Sequence, residues 1–209
     1  MKKILLLTPL CLLLFVGAYY ASSYIPSSSA KRFAARISDN TEVLRLKSFG
    51  DEAKLFVAAN GYNKSFCFLL DMSLGSGRNR FFVYDLLHDS VVMAGLVAHG
   101  SCNKDFLNDA KFSNIPGCGC SAKGKYKVGY KYDGRFGIAY KLYGLDITNS
   151  NAFDRYIVLH SYYMVPDKET TPLPICNSLG CAMVSDNFIK KLAVKLDASK
   201  KPVLLWMFE

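Results

Sequence analysis

The chain has 209 residues, 51% of them apolar and 13% aromatic, which suits one domain of ordinary size with a sizeable buried core. Its formal charge is +9 at pH 7, and Lys2 and Lys3 belong to that excess. The basic residues are spread along the chain with no recognised nucleic-acid-binding motif, so nucleic acid is not the expected partner; polyanions such as cell-wall polymers or anionic headgroups are.

Residues 1–30 read as an export segment and linker. Lys2 and Lys3 precede an apolar run over residues 4–18, then Ala21-Ser22-Ser23 and a serine cluster, the layout of a secretory signal. A helix of about 15 residues spans about 22 Å, short of the roughly 30 Å hydrocarbon core of a bilayer. That favours cleavage, after Ser23 or Ala30, over an uncleaved N-terminal anchor with peripheral attachment. Cys11 lies inside the apolar run and not behind it, which argues against a lipoprotein. The expected location is the periplasm or cell envelope.

Residues 31–62 predict a helical N-terminal cap. Phe33, Ile37, Leu44, Phe56 and Val57 recur at helical steps, with a break at Ser48-Phe49-Gly50, Asp51 capping a second helix and Gly61 closing it. From residue 63 to 209 the pattern is mainly β. Residues 65–71, 80–85 and 91–97 read as strands, as do 125–130 and 137–143 on either side of Asp133-Gly134. Short strands divided by glycine turns predict a β-sandwich with flanking helices. Residues 186–196 form an amphipathic helix with Phe188, Ile189, Leu192 and Leu196 on one face, and residues 202–208 a last strand carrying Trp206. No period of about 20 to 50 residues recurs, so repeat architectures are excluded.

The chemistry is concentrated between Tyr156 and Cys181. Ile157, Val158 and Leu159 make a short buried strand that ends at His160 and Ser161. Pro166, Pro172 and Pro174 forbid a helix beyond it and demand a loop. Ser178-Leu179-Gly180-Cys181 then forms a tight turn with a thiol at its far side. A thiolate is a nucleophile for acyl transfer, and a neighbouring imidazole takes or holds its proton. The backbone N–H groups of Gly180 and Cys181 are candidates to receive a developing oxyanion. On residue types alone, His160 as a core histidine and Cys181 as a half-cystine fit equally well.

A second set competes. His99, Cys102, Cys118 and Cys120 offer either another nucleophile pair or a zinc site, although zinc motifs usually place about two to four residues between paired cysteines and C-x-C has one. His88 lies in a turn and reads as solvated. The cysteine pairing cannot be assigned from spacing.

The strings IVLHS and CNSLGC resemble the murein L,D-transpeptidase catalytic domain family, whose signature is a His-Gly or His-Ser pair ahead of Ser-x-Gly-Cys. The likeness extends through FSNIPGCGCSAKGKYKVGYKYDG upstream and KPVLLWMFE downstream, most of residues 67–209. It implies Cys181 as nucleophile, His160 as base, and Ser161 as the position whose backbone carbonyl orients the histidine. Ser178 and Gly180 match the remaining motif positions. Leu179 stands where the family most often has histidine, and Met183 where it has arginine. The resemblance further implies an exported enzyme that acts on peptidoglycan stem tetrapeptides through a cysteine thioester, forming cross-links or trimming the terminal D-alanine, with no metal or organic cofactor. Within that site His99 and Ser121 are expected to line the pocket. Asn149, beside Asp146 and Asn151, either positions the substrate peptide or belongs to a local turn network. Arg155 either meets a substrate carboxylate or is a surface charge. Two other classes stay open: a non-catalytic wall-binding domain with a Cys176–Cys181 disulfide, and a zinc hydrolase built on the His99 set.

Overall fold

The computed structural model describes residues 40–209. The expected export segment, and the first part of the expected cap, lie outside the described residues.

One helix, α1 (Asn40–Asn60), stands where two were expected, and it passes through Ser48-Phe49-Gly50 without a break. A single interior glycine costs a helix about 1 kcal/mol and does not stop it. Gly50 is there for packing: a Cβ at that position would run into the Tyr84 ring. Asp51 is mid-helix and pairs with Lys47 one turn earlier, at 3.0 Å, so it caps nothing. Gly61 does close the helix as expected, at φ +73, with the Tyr62 N–H donating to the Val57 carbonyl at 3.2 Å. Leu46, Ala53 and Val57 pack with Leu69, Phe82, Tyr84 and Trp206 in one apolar cluster.

Eight strands follow: β1 (Phe66–Asp71), β2 (Phe81–Asp85), β3 (Ser90–Gly95), β4 (Gly124–Gly134), β5 (Gly137–Gly144), β6 (Val158–Ser161), β7 (Ala182–Val184) and β8 (Val203–Phe208). They form one sheet in the order β3-β2-β1-β8-β4-β5-β6-β7. The β1–β8 and β6–β7 pairs are parallel and the rest antiparallel. Just past β3, the Ala98 N–H donates to the Met183 carbonyl of β7 at 2.9 Å, so chain from one edge of the sheet meets the other edge. The two layers of the expected sandwich are therefore halves of one curled sheet. Phe68, Phe81 and Val83 from one half share a core with Tyr126, Leu142 and Leu159 from the other.

A second helix, α2 (Asp186–Asp197), adds Phe188, Ile189 and Leu192 to that core. Its N-cap is Ser185, whose hydroxyl accepts the Phe188 N–H. The strand β7 was not foreseen. Three residues are too few to show alternation, and it exists because its neighbour β6 supplies the hydrogen bonds.

Candidate active site

The register of β6 against β7 aims the candidate side chains. Leu159 lies opposite Ala182, and His160 opposite Met183. Successive side chains of a strand point to opposite faces. Leu159, Ala182 and Val184 are fully buried in the core, so His160 and Met183 point away from it. Cys181 is the residue immediately before β7, in the bend that leads into it. Ring and thiol both line a cleft of about 580 Å³, together with Ser178, Leu179 and Met183.

His160 is held in one tautomer. Its Nδ1 lies 2.7 Å from the Ser161 carbonyl oxygen, which can only accept, so Nδ1 carries the proton. Nε2 is left with a lone pair. The Phe136 ring stacks on the imidazole with centroids 5.6 Å apart and planes 23° from parallel. Phe136 is itself tied to β6, because its carbonyl accepts the Ser161 hydroxyl at 2.5 Å. Burial lowers the His160 pKa below its ordinary 6.5, with the Ser161 carbonyl opposing in part. Burial also raises the pKa of the Cys181 thiol, against the backbone N–H of Val158 and the charges of Arg155 and Lys141. The Cys181 S–H points to the Tyr156 carbonyl at 3.6 Å. Both shifts favour the uncharged forms, a neutral imidazole and a neutral thiol.

The turn ahead of Cys181 is braced by Ser178. Its hydroxyl donates to the Cys181 carbonyl at 2.7 Å and accepts the Gly180 N–H at 3.0 Å. That bond corrects the expected oxyanion role of Gly180, whose N–H is already committed. The glycine is required for shape: φ is +114, and a Cβ would stand 2.7 Å from the Cys120 carbonyl oxygen.

His99, Ser121 and Arg155, expected at the substrate, are corrected as well, and Asn149 takes the turn-network alternative, because all four serve the frame. His99 is fully buried between the Arg80 guanidinium, 2.8 Å from its Nδ1, and the Leu107 carbonyl, 3.0 Å from its Nε2. Burial and the Arg80 charge push its pKa down to about 4. Ser121, also buried, accepts the Gly100 N–H at 3.0 Å and donates to the Gly180 carbonyl at 3.4 Å. Asn149 accepts the Asp146 N–H at 2.9 Å and donates to the Lys125 carbonyl at 2.8 Å, the local turn network. Arg155 donates to the carbonyls of Ser113 and Cys120, at 2.7 and 2.5 Å. A buried polar group must find partners, and these four found backbone.

The alternative constellations are not assembled. Cys102 and Cys120 are joined in a disulfide, which removes two of the four proposed zinc ligands, and both nitrogens of His99 are occupied. The Cys176–Cys181 bridge of the wall-binding reading is not formed, since both thiols are free. Sequence reasoning missed Phe106, Phe136, Tyr162 and Asn177, which also line the cleft. The one available signal was Phe136, an aromatic residue placed beside a tight hairpin turn.

The family model for the L,D-transpeptidase catalytic domain matches residues 40–206 of this chain. The chain belongs to that family. Among solved structures, the helical cell shape determining protein Pgp2 from Campylobacter jejuni is similar at 15% identity and a TM-score of 0.46, over 71% of this chain and 49% of that one. An L,D-transpeptidase from Mycobacterium smegmatis is similar at 12% identity and a TM-score of 0.41, over 69% of this chain and 59% of that one. The L,D-transpeptidase from Xylanimonas cellulosilytica is similar at 13% and 0.41, over 75% and 69%. This chain spans about half the length of the Pgp2 structure. No curated protein sequence matches it. Membership of the L,D-transpeptidase family supports a peptidoglycan-modifying role and a mainly β fold with an N-terminal helix.

Proposed function

We propose that this L,D-transpeptidase domain is an exported cysteine acyltransferase acting on peptidoglycan stem tetrapeptides. The observation that carries the reading is that His160, turned away from the core by the register of β6, and Cys181, just before β7, line one cleft. The Cys181 sulfur attacks the carbonyl of the third residue while His160 Nε2 takes the thiol proton. The tetrahedral intermediate collapses, the carbon–nitrogen bond breaks, and His160 returns the proton to the departing D-alanine amine. A thioester remains. An amine from a neighbouring stem then attacks it, losing a proton to His160, and the thiol is regenerated as the cross-link forms. Water in the same position gives carboxypeptidase activity. Ser161 acts through its carbonyl, which keeps Nε2 the basic nitrogen.

Export is supported by the N-terminal composition and by the Cys102–Cys120 disulfide, a bond typical of oxidising compartments. The test is turnover of a soluble stem tetrapeptide by the purified protein. Cys181→Ala should abolish it, and activity at the wild-type level in that variant would end the proposal.

A further inference from the structure

A concentration of positive charge lies away from the cleft, at an irregularity in β4. Pairing with β5 shifts register between Val128 and Lys131, and a groove of about 470 Å³ opens there towards the chain that follows α2. Lys127, Lys131, Lys200 and Lys201 line it against one carboxylate, Asp197. That carboxylate is taken by Lys131 at 2.7 Å and by the Tyr140 hydroxyl at 3.0 Å. The groove therefore keeps the positive charge of Lys127, Lys200 and Lys201. Tyr130 and Tyr143 supply its aromatic surface, and Tyr130 is 57% exposed. Gly129 permits the arrangement, because a Cβ there would strike the Tyr143 ring.

The groove is also connected to the thiol. Lys127 Nζ lies 4.5 Å from the Tyr143 ring centroid, and Tyr143 stacks on Phe153 at 5.0 Å and 11°. Lys141 Nζ then lies 5.6 Å from Phe153 and 5.3 Å from Tyr156. Tyr156 is the residue whose carbonyl meets the Cys181 thiol. It holds a left-handed backbone, φ +57, with its side chain largely exposed, a strained conformation of the kind that clusters at functional sites. A track of alternating lysines and aromatic rings thus runs from the groove to Tyr156, the residue whose backbone carbonyl meets Cys181.

Ammonium groups gathered around a concave surface attract anions. Flat ring faces beside them suit the apolar faces of sugars, and a lysine lying over a ring keeps N–H donors for a ligand. We propose that this groove is a second, non-catalytic binding site for an acidic carbohydrate polymer, whose carboxylates or phosphates are held by Lys127, Lys200 and Lys201 and whose sugars rest on Tyr130 and Tyr143. Bound there, the polymer delivers its side groups along the lysine–aromatic track to Cys181. The inference relies on the peptidoglycan reading for the source of the polymer and not for the binding itself.

The test uses full-chain protein carrying Cys181→Ala, so that binding is measured without turnover. The probes are stem-free glycan strands from peptidoglycan, which keep a carboxylate on the muramic sugars, a glycerol-phosphate polymer, and neutral chitin oligomers. The Lys200→Glu/Lys201→Glu variant changes two surface lysines outside the catalytic cleft. It should weaken binding of the preferred acidic polymer by about tenfold or more. Raising salt from about 0.05 to about 0.5 M should weaken binding as well, by screening exposed charges. Preference between the carboxylate and phosphate probes identifies the source of the anion. Unchanged affinity in the lysine variant, or equal binding of chitin, would overturn the site. In the Cys181-intact background the same variant should keep wild-type turnover of soluble tetrapeptide while losing turnover of intact sacculi. Loss of all turnover in the unmodified protein would defeat the enzyme reading and leave the binding result standing.

Discussion

The protonation of two side chains decides how the site works. His160 is neutral near pH 7 because burial favours its uncharged form, and Cys181 keeps its proton for the same reason. A base of this kind is competent above its own pKa, which lies below 6.5, and is lost as the pH falls through that value. The kcat/KM for tetrapeptide should therefore rise through a limb centred below pH 6.5 and be flat across neutrality. A limb centred above pH 7 would mean that the thiolate must form first, without help from His160. The family resemblance marks Ser161 as the residue whose carbonyl orients the histidine, and that carbonyl lies 2.7 Å from His160 Nδ1. It matters more than the Ser161 hydroxyl, which is spent on Phe136.

At the level of elements, each strand and helix was legible where its side chains alternate or recur. The helix break was misread for an instructive reason. Gly50 looks like a stop signal, yet its missing side chain makes room for Tyr84 on β2. Gly50→Ala should consequently destabilise the domain by about 1–3 kcal/mol through overpacking, although helix propensity alone favours alanine by about 1 kcal/mol. Urea denaturation reads the sign directly, and a stabilised variant would refute the packing argument. The candidate site was legible to the same degree. His160 and Cys181 stand at the ends of recognisable segments. His99, Ser121 and Arg155 were misassigned because a polar residue looks alike in sequence whether it faces a cleft or bonds backbone, whereas the turn-network alternative for Asn149 is the one that holds. Phe136 escaped notice because only the β5–β6 pairing brings its turn to the histidine.

Across the whole molecule, the curled sheet places Cys181, the proposed nucleophile, in a cleft with a wall that a covalent bond secures. The Cys102–Cys120 disulfide pins the segment that carries Ser101, Lys104 and Phe106 along the cleft. Closing a loop of that size stabilises a fold by about 3 kcal/mol in the chain-entropy model. Reduction of the native protein should lower its melting temperature by roughly 5–10 °C. An unchanged melting curve under full reduction would show that the bond contributes nothing to the fold. His99, expected to line the pocket, is instead buried against Arg80, which in turn donates to the Val97 carbonyl.

The central claim is that Cys181, served by His160, is the reacting group. Intact-mass analysis with peptide mapping after exposure to a carbapenem tests it most directly, because among the described residues Cys118, Cys176 and Cys181 are all free and partly exposed, while Cys67 is buried. One adduct is expected, on the peptide carrying Cys181, forming at least tenfold more slowly in His160→Ala, as loss of a general base requires (about 10² to 10⁴). An adduct on Cys118 or Cys176, or one that forms equally fast without the imidazole, would contradict the account.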